Sequence, residues 1–158
     1  MYSIRSIDEK IRKDVVALIT ENWGSPIIVT KGRVHSVETL PGFIAVENDR
    51  LRGVITYGIE NGDCEIVSLD SLAENIGIGS MLIDAAIKKA KDHGCRRVWL
   101  ITTNDNTHAV RFYQKRGFNI AGIYINSIQE SRKIKPQIPL TGFDNIPVLH
   151  EIELEKVF

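Results

Sequence analysis

Residues 64–90 read CEIVSLDSLAENIGIGSMLIDAAIKKA. A β-rich run, CEIVSL, gives way to Gly77 and Gly79, and then to Leu82, Ile83, Ala86, Ile87 and Ala90 at helical spacing. Ser80, Asp84, Lys88 and Lys91 fall on the opposite side, so the spacing predicts an amphipathic helix over 77–93 with one face on a sheet. The first turn of such a helix has unpaired N–H groups and the positive end of the helix dipole, which together suit phosphate oxygens. Two specific phosphate motifs are excluded. A dinucleotide fingerprint needs a small residue where Leu82 stands, and a P-loop needs Gly-Lys-Ser/Thr. On its own, Gly-x-Gly reads equally well as a closely packed turn.

Working outward, 2–6 reads as a short strand, and Asp8 caps a helix with Ile11, Val15, Leu18 and Ile19 on one face, ending near Trp23 and Gly24. Residues 25–40 mix a β-branched run with a glycine and read as an irregular, partly extended excursion. Strands follow at 43–47, 51–59 and 64–69, separated by ENDR and ENGD; the second contains the Asn61-Gly62 hairpin signal. Beyond the 77–93 helix come a strand at 97–103, a helix at 107–116, a strand at 118–125, a short helix at 127–134 and an alternating strand at 150–157. A meander followed by β-α-β-α-β alternation predicts a mixed α/β sheet with helices against it.

At 158 residues the chain has the length of one domain, expected to span 1–158. Twenty basic residues balance twenty acidic ones, which removes the electrostatic case for nucleic acid or an anionic membrane as the main partner. The first residues lack a signal peptide's apolar core, and no apolar run approaches a membrane span, so a cytoplasmic location is expected. Cys64 and Cys95 lack metal-ligand spacing and read as reduced, buried thiols.

Asn104 to Phe118 reads NDNTHAVRFYQKRGF. With ENIGIG thirty residues earlier, the chain resembles the GNAT superfamily of N-acetyltransferases. That family's pyrophosphate loop reads Gln/Arg-x-x-Gly-x-Gly/Ala, and its second signature places an Asn, then an Ala, before Phe-Tyr-x-Lys-x-Gly-Phe. Asn106, Ala109, Phe112, Tyr113, Lys115, Gly117 and Phe118 fall on the second signature. Glu74 departs from the first, since a carboxylate offers no donor where Gln or Arg is usual. The loop before the glycines is also shorter than the family norm. The resemblance covers about 43–125 and is weak over 25–40 and 127–148.

The resemblance implies an acyl-CoA-binding fold, a mostly antiparallel sheet with two splayed strands, flanked by helices. It implies acetyl-CoA as co-substrate, no metal, and a primary amine of a small molecule or peptide as acceptor. A homodimer is a family habit that no sequence feature here demands. The alternative is a domain of the same fold that binds acyl-CoA without turnover. Cofactor contacts are expected from Leu69, Ser71, Leu72, Glu74, Asn75, Ile76, Gly77, Ile78, Gly79, Ser80, Asn104, Asn106, Ala109, Phe112, Tyr113 and Lys115; Lys115 and Arg116 read either as phosphate contacts or as ordinary surface charge at a helix end.

Acetyl transfer needs a neutral amine, a polarised carbonyl and a proton for the leaving thiolate. Tyr113 is the expected proton donor and Glu65 the expected base, with His35 or water as alternatives. A main-chain N–H around 69–71 is the expected carbonyl donor. Asn106 also suits a helix cap. The proline-rich tail at 126–149 is expected to close over the acceptor, with Asn126, Arg132 and Lys135 as polar contacts.

Overall fold

The computed structural model describes residues 2–72 and 77–158. Glu74, Asn75 and Ile76, all expected at the cofactor, lie outside the described residues.

The elements run β1 (Ser3–Ser6), α1 (Arg12–Trp23), β2 (Ile27–Thr30), β3 (Arg33–Ser36), β4 (Gly42–Glu47), β5 (Arg50–Glu60) and β6 (Asp63–Ser71). They continue with α2 (Ile78–Asp92), β7 (Arg97–Thr103), α3 (Thr107–Lys115), β8 (Asn119–Tyr124), α4 (Ile128–Ile134) and β9 (Glu151–Val157), with a single 3-10 turn at Phe143–Asn145. Seven strands form one sheet in the order β1-β4-β5-β6-β7-β9-β8. Among the described strands only β6 and β7 pair in parallel, and every other neighbour is antiparallel. This is the mixed, mostly antiparallel α/β sheet expected.

Helix α2 buries Ile78, Leu82, Ile83, Ala86 and Ala90 against Ala45, Ile55, Cys64, Ile66, Val98, Leu100 and Leu154 on one face of the sheet. Each fully buried Leu or Ile contributes about 1.5–3 kcal/mol relative to exposure. The other face carries Val15 and Ile19 of α1 on Ile44, Val46, Val54 and Val67. Asp8 Oδ1 accepts from the Ile11 N–H at 3.0 Å and caps the turn that leads into α1. Burial pushes the Cys64 thiol up to about 12, so it stays protonated, and both cysteines are buried and free.

Two features differ from expectation. Residues 25–40 are not an irregular excursion but a β2–β3 hairpin, pairing Ile27 with Ser36 through Thr30 with Arg33. Its two-residue turn, Lys31-Gly32, has both φ positive, at 49° and 73°. That geometry suits the twist of paired strands, and Lys stands where Asn or Asp usually advertises it. The second feature is a β-bulge in β6. Thr56 faces Ser68 while Tyr57 faces Ile66, which leaves Val67 as the extra residue. Side-chain alternation flips there. Cys64 and Ile66 face α2 before the bulge and Leu69 faces it afterwards, while Asp70 turns toward α1.

Candidate active site

Strands β6 and β7 pair only over 63–66 and 97–100. Beyond Ile66 and Leu100 each strand continues, β6 to Ser71 and β7 to Thr103, with no ladder between them. The sheet therefore opens in a V. The Leu72 N–H donates to the Arg52 carbonyl on the β5 side at 2.8 Å. Successive amides of a strand alternate sides, so the Leu69 N–H points into the opening. The Leu72 amide is thus taken up by β5, and its side chain is half exposed.

Helix α2 begins at the mouth of this V. Gly77 takes a left-handed φ of 83°, which only glycine adopts freely. A Cβ on Gly79 would lie 3.1 Å from the end of the Phe112 ring and 3.9 Å from Leu69, so this glycine lets α3 and β6 close on the helix start. Gly77 at the N-cap supplies no side-chain cap to α2, and the first turn of the helix holds no acidic residue. The first intrahelical bond runs from the Met81 N–H to the Gly77 carbonyl at 3.0 Å, which leaves the Ile78, Gly79 and Ser80 amides without helical partners. The Arg116 guanidinium stands alongside. It lies 3.5 Å from the Phe112 ring centroid, donates to Ser80 Oγ at 2.8 Å and to the Phe112 carbonyl at 2.8 Å. Amides, dipole and a fixed cation make an anion cradle. Lys115 is exposed one residue earlier, with Arg116 the cation held at the cradle.

Helix α3 places Tyr113. Asn106 caps it by accepting from the Ala109 N–H at 3.1 Å. Tyr113 is 7% exposed and packs edge-on to Phe112 and Phe118, with ring centroids 5.2 and 5.4 Å away. Burial raises its phenol well above the ordinary value, and the charge of Asp70 raises it further. The phenol therefore keeps its proton at neutral pH. Burial also raises the Asp70 carboxyl, against bonds from Asn22 and from Trp23 Nε1 at 3.1 Å.

Glu65 stands on the opposite face of the sheet, beside Trp99 in register and one residue before the strands part. Only 3% exposed, it is covered by the β2–β3 hairpin. The Thr30 hydroxyl donates to Glu65 Oε2 at 2.7 Å and lies 2.8 Å from His35 Nε2. A hydroxyl that donates to the carboxylate must accept from His35, so Nε2 carries the histidine proton. His35 Nε2 is 3.5 Å and Arg33 Nη1 3.9 Å from Glu65 Oε1. Burial raises the Glu65 carboxyl, offset by the Thr30 bond and then by Arg33 and Lys31. Burial lowers His35, helped by Arg33, which keeps the imidazole neutral. A cleft of about 290 Å³ lined by Arg33, His35, Gly58, Glu60, Glu65 and Trp99, among others, reaches this group. A hollow of the same volume at Asp63, Arg96, Arg97 and Val157 touches neither Glu65 nor the V.

The sequence profile of the acetyltransferase (GNAT) family matches residues 13–118. The chain belongs to the GNAT acetyltransferase family. It is 40% identical over 149 residues to the uncharacterized protein YxbD of Bacillus subtilis (strain 168), covering 93% of this chain and 94% of that protein. It is 43% identical to YdhI of the same organism over 87% of this chain and 86% of that one. Among solved structures, an IAA acetyltransferase from Bacillus cereus ATCC 14579 superposes with a TM-score of 0.75 at 20% identity, each chain fully covered. A Bacillus subtilis acetyltransferase in complex with CoA superposes at 0.73 and 21% identity, covering 100% of this chain and 99% of that one. At those identities the likeness speaks to the fold alone.

Within the GNAT frame, two expected contacts have other work. Asn104 accepts from the Leu149 and His150 N–H groups, both at 2.9 Å, and donates to the Pro147 carbonyl at 2.9 Å. Its amide clamps the tail. Arg132 donates to the carbonyls of Ile138, Pro139 and Val148 and braces the tail. Lys135 is buried, and the Asn126 N–H donates to His150 Nδ1 at 2.8 Å. The Thr30 contact with Glu65 was not visible in the sequence, because nothing in an irregular 25–40 stretch points to a carboxylate 35 residues away. Among the described residues no group of three or more His, Cys, Asp and Glu gathers as a metal site, and no helix is long and apolar enough to cross a membrane.

Proposed function

We propose that residues 1–158 act as one acetyl-CoA-dependent N-acetyltransferase domain, transferring an acetyl group to a primary amine of a small molecule or peptide. The observation that carries this reading is the placement of a buried carboxyl, Glu65, and a buried phenol, Tyr113, on opposite faces of the sheet beside the point where β6 and β7 part. A carboxyl of raised proton affinity suits taking the amine proton, and a phenol that keeps its proton at neutral pH is available to give one to sulfur.

The Ile78, Gly79 and Ser80 amides and Arg116 would hold the pyrophosphate of acetyl-CoA, with Leu69 beside the V and Ala109 and Phe112 along α3. When bound, acetyl-CoA supplies the thioester. Glu65 accepts a proton from the incoming amine, and the raised carboxyl makes it a stronger base than an ordinary glutamate. Thr30 and His35 fix its orientation. The Tyr113 hydroxyl donates its proton to the sulfur that leaves, and the Leu69 N–H is aimed to polarise the carbonyl.

Thermal unfolding with acetyl-CoA, CoA or ATP tests the reading. A ligand present at a hundredfold excess over Kd adds about 2.7 kcal/mol to stability. Both CoA species are expected to raise the Tm and ATP is not, and amines screened with acetyl-CoA should then release free thiol. No shift at millimolar acetyl-CoA would overturn the proposal.

A further inference from the structure

On the hairpin face of the sheet, next to Glu65, an ammonium group is already bound, and it belongs to the chain itself. Lys31 Nζ lies 4.4 Å from the Tyr124 ring centroid, 5.6 Å from that of Trp99 and 3.2 Å from Glu153 Oε1. Tyr124 donates its hydroxyl to the same Glu153 oxygen at 2.8 Å. Two aromatic faces and a carboxylate form a cage for an alkylammonium ion.

A second, independent feature adjoins it. Glu151 lies two residues from Glu153 on the same face of β9 and is 1% exposed. Its Oε2 accepts the Lys31 backbone N–H at 3.0 Å, while its Oε1 is buried with no hydrogen-bond partner among the described residues. A buried carboxyl oxygen without a donor is destabilising until something donates to it.

The cations nearby differ in how firmly they are held. Arg97 is fixed by Asp63, Glu153 and Glu155 at 2.9–3.1 Å and stacks on Trp99. Arg33 bonds Glu60. Lys31 rides on a two-residue turn with its side chain about a third exposed, so its ammonium can swing out without moving a strand.

We propose that the Trp99–Tyr124–Glu153 cage, with Glu151 beside it, is an acceptor subsite for the far ammonium of an aliphatic diamine, and that Lys31 occupies it until the acceptor arrives. The proposal rests on the acetyltransferase reading for which end of the diamine reacts. In the ladder Trp99 lies one strand from Glu65, Glu153 two and Tyr124 three, so the ammonium position in the cage is about two strand spacings from Glu65, roughly 10 Å. A stem of four or five methylenes spans that gap and presents its free nitrogen to Glu65. A monoamine or a neutral alcohol leaves one end of the cleft unmatched. Lys31 therefore acts as a built-in competitor that sets a threshold for acceptor binding.

The test is equilibrium binding without acetyl-CoA, so its failure is separate from failure of the CoA shift. Native protein and the Lys31→Asn variant are titrated with 1,4-diaminobutane and, as control, 1,4-butanediol, following Trp fluorescence and heat. Asn tolerates the left-handed backbone at 31 and keeps the N–H to Glu151. The variant is expected to bind the diamine about tenfold tighter than native protein, a gain that Glu153→Gln in the same background removes, with no binding of the diol. Lys31→Met is the second variant, and circular dichroism establishes that each is folded. Equal affinity in native and variant proteins, equal response to the diol, indifference to Glu153→Gln, or no diamine binding at 10 mM (an order-of-magnitude ceiling for a useful acceptor, about 3 kcal/mol) each overturns the proposal.

Discussion

The Thr30 hydroxyl donates to Glu65 Oε2 at 2.7 Å across 35 residues of chain, tying the tip of the β2–β3 hairpin to the strand that opens the sheet. This bond holds down the carboxyl that burial pushes up. Thr30→Val removes the donor, so the Glu65 carboxyl rises further and the acid limb of kcat/KM against pH moves to higher pH. The loss of activity should be larger at pH 6 than at pH 8. An unmoved limb would exclude Glu65 as the titrating base.

Glu65→Gln should separate activity from stability. Folding raises this carboxyl above its ordinary value of 4.5, so the folded state holds the proton more tightly than the unfolded one. Its contribution to stability is present below 4.5 and is lost as pH rises through the raised value. The amide has no such loss. The variant is expected to lose roughly 10²–10⁴ in kcat/KM, the range for a general base, while unfolding in urea at pH 8 no earlier than native protein.

Tyr113→Phe keeps the ring that packs on Phe112 and Phe118 and deletes only the hydroxyl. Acetyl-CoA binding by calorimetry should be unchanged and stability altered by less than about 1 kcal/mol, while the single-turnover rate falls by about 10²-fold or more. An undiminished rate would leave the tyrosine as core packing.

The cradle predicts two different failures. At Gly77 a Cβ meets nothing among the described residues within 4 Å, so Gly77→Ala acts through the left-handed backbone and costs about 1–2 kcal/mol of stability. Arg116→Met leaves the helix start intact but removes a fixed cation. CoA affinity should fall about tenfold, and its dependence on salt should weaken, as isothermal titration at two ionic strengths would register.

The tail depends on one close approach. Asp105, buried, accepts the Phe143 N–H at 3.1 Å, and a Cβ on Gly142 would come within 2.0 Å of its Oδ2. Gly142→Ala must displace one or the other. A loss of at least about 1–3 kcal/mol in urea unfolding is expected, with proteolysis first appearing within 135–150.

Much of this was legible in the chain as written. The period of Leu82, Ile83, Ala86 and Ala90 determined α2 and the face it buries, and Gly77 and Gly79 marked its uncapped start, because these are local patterns of backbone and burial. Spacing within Asn106 to Phe118 likewise located the cap and the phenol. The partners of Glu65 were not legible. Thr30, His35 and Lys31 reach Glu65, Glu151 and Glu153 only because a hairpin folds over the far face of the sheet, and the sheet places β9 between β7 and β8. Nor could alternation along β6 foresee that the bulge at Val67 turns Asp70 toward α1. Local sequence determines which face an element buries, whereas side chains distant in the chain meet through strand order and register. Those depend on the packing of the whole sheet, and here they decided what surrounds Glu65.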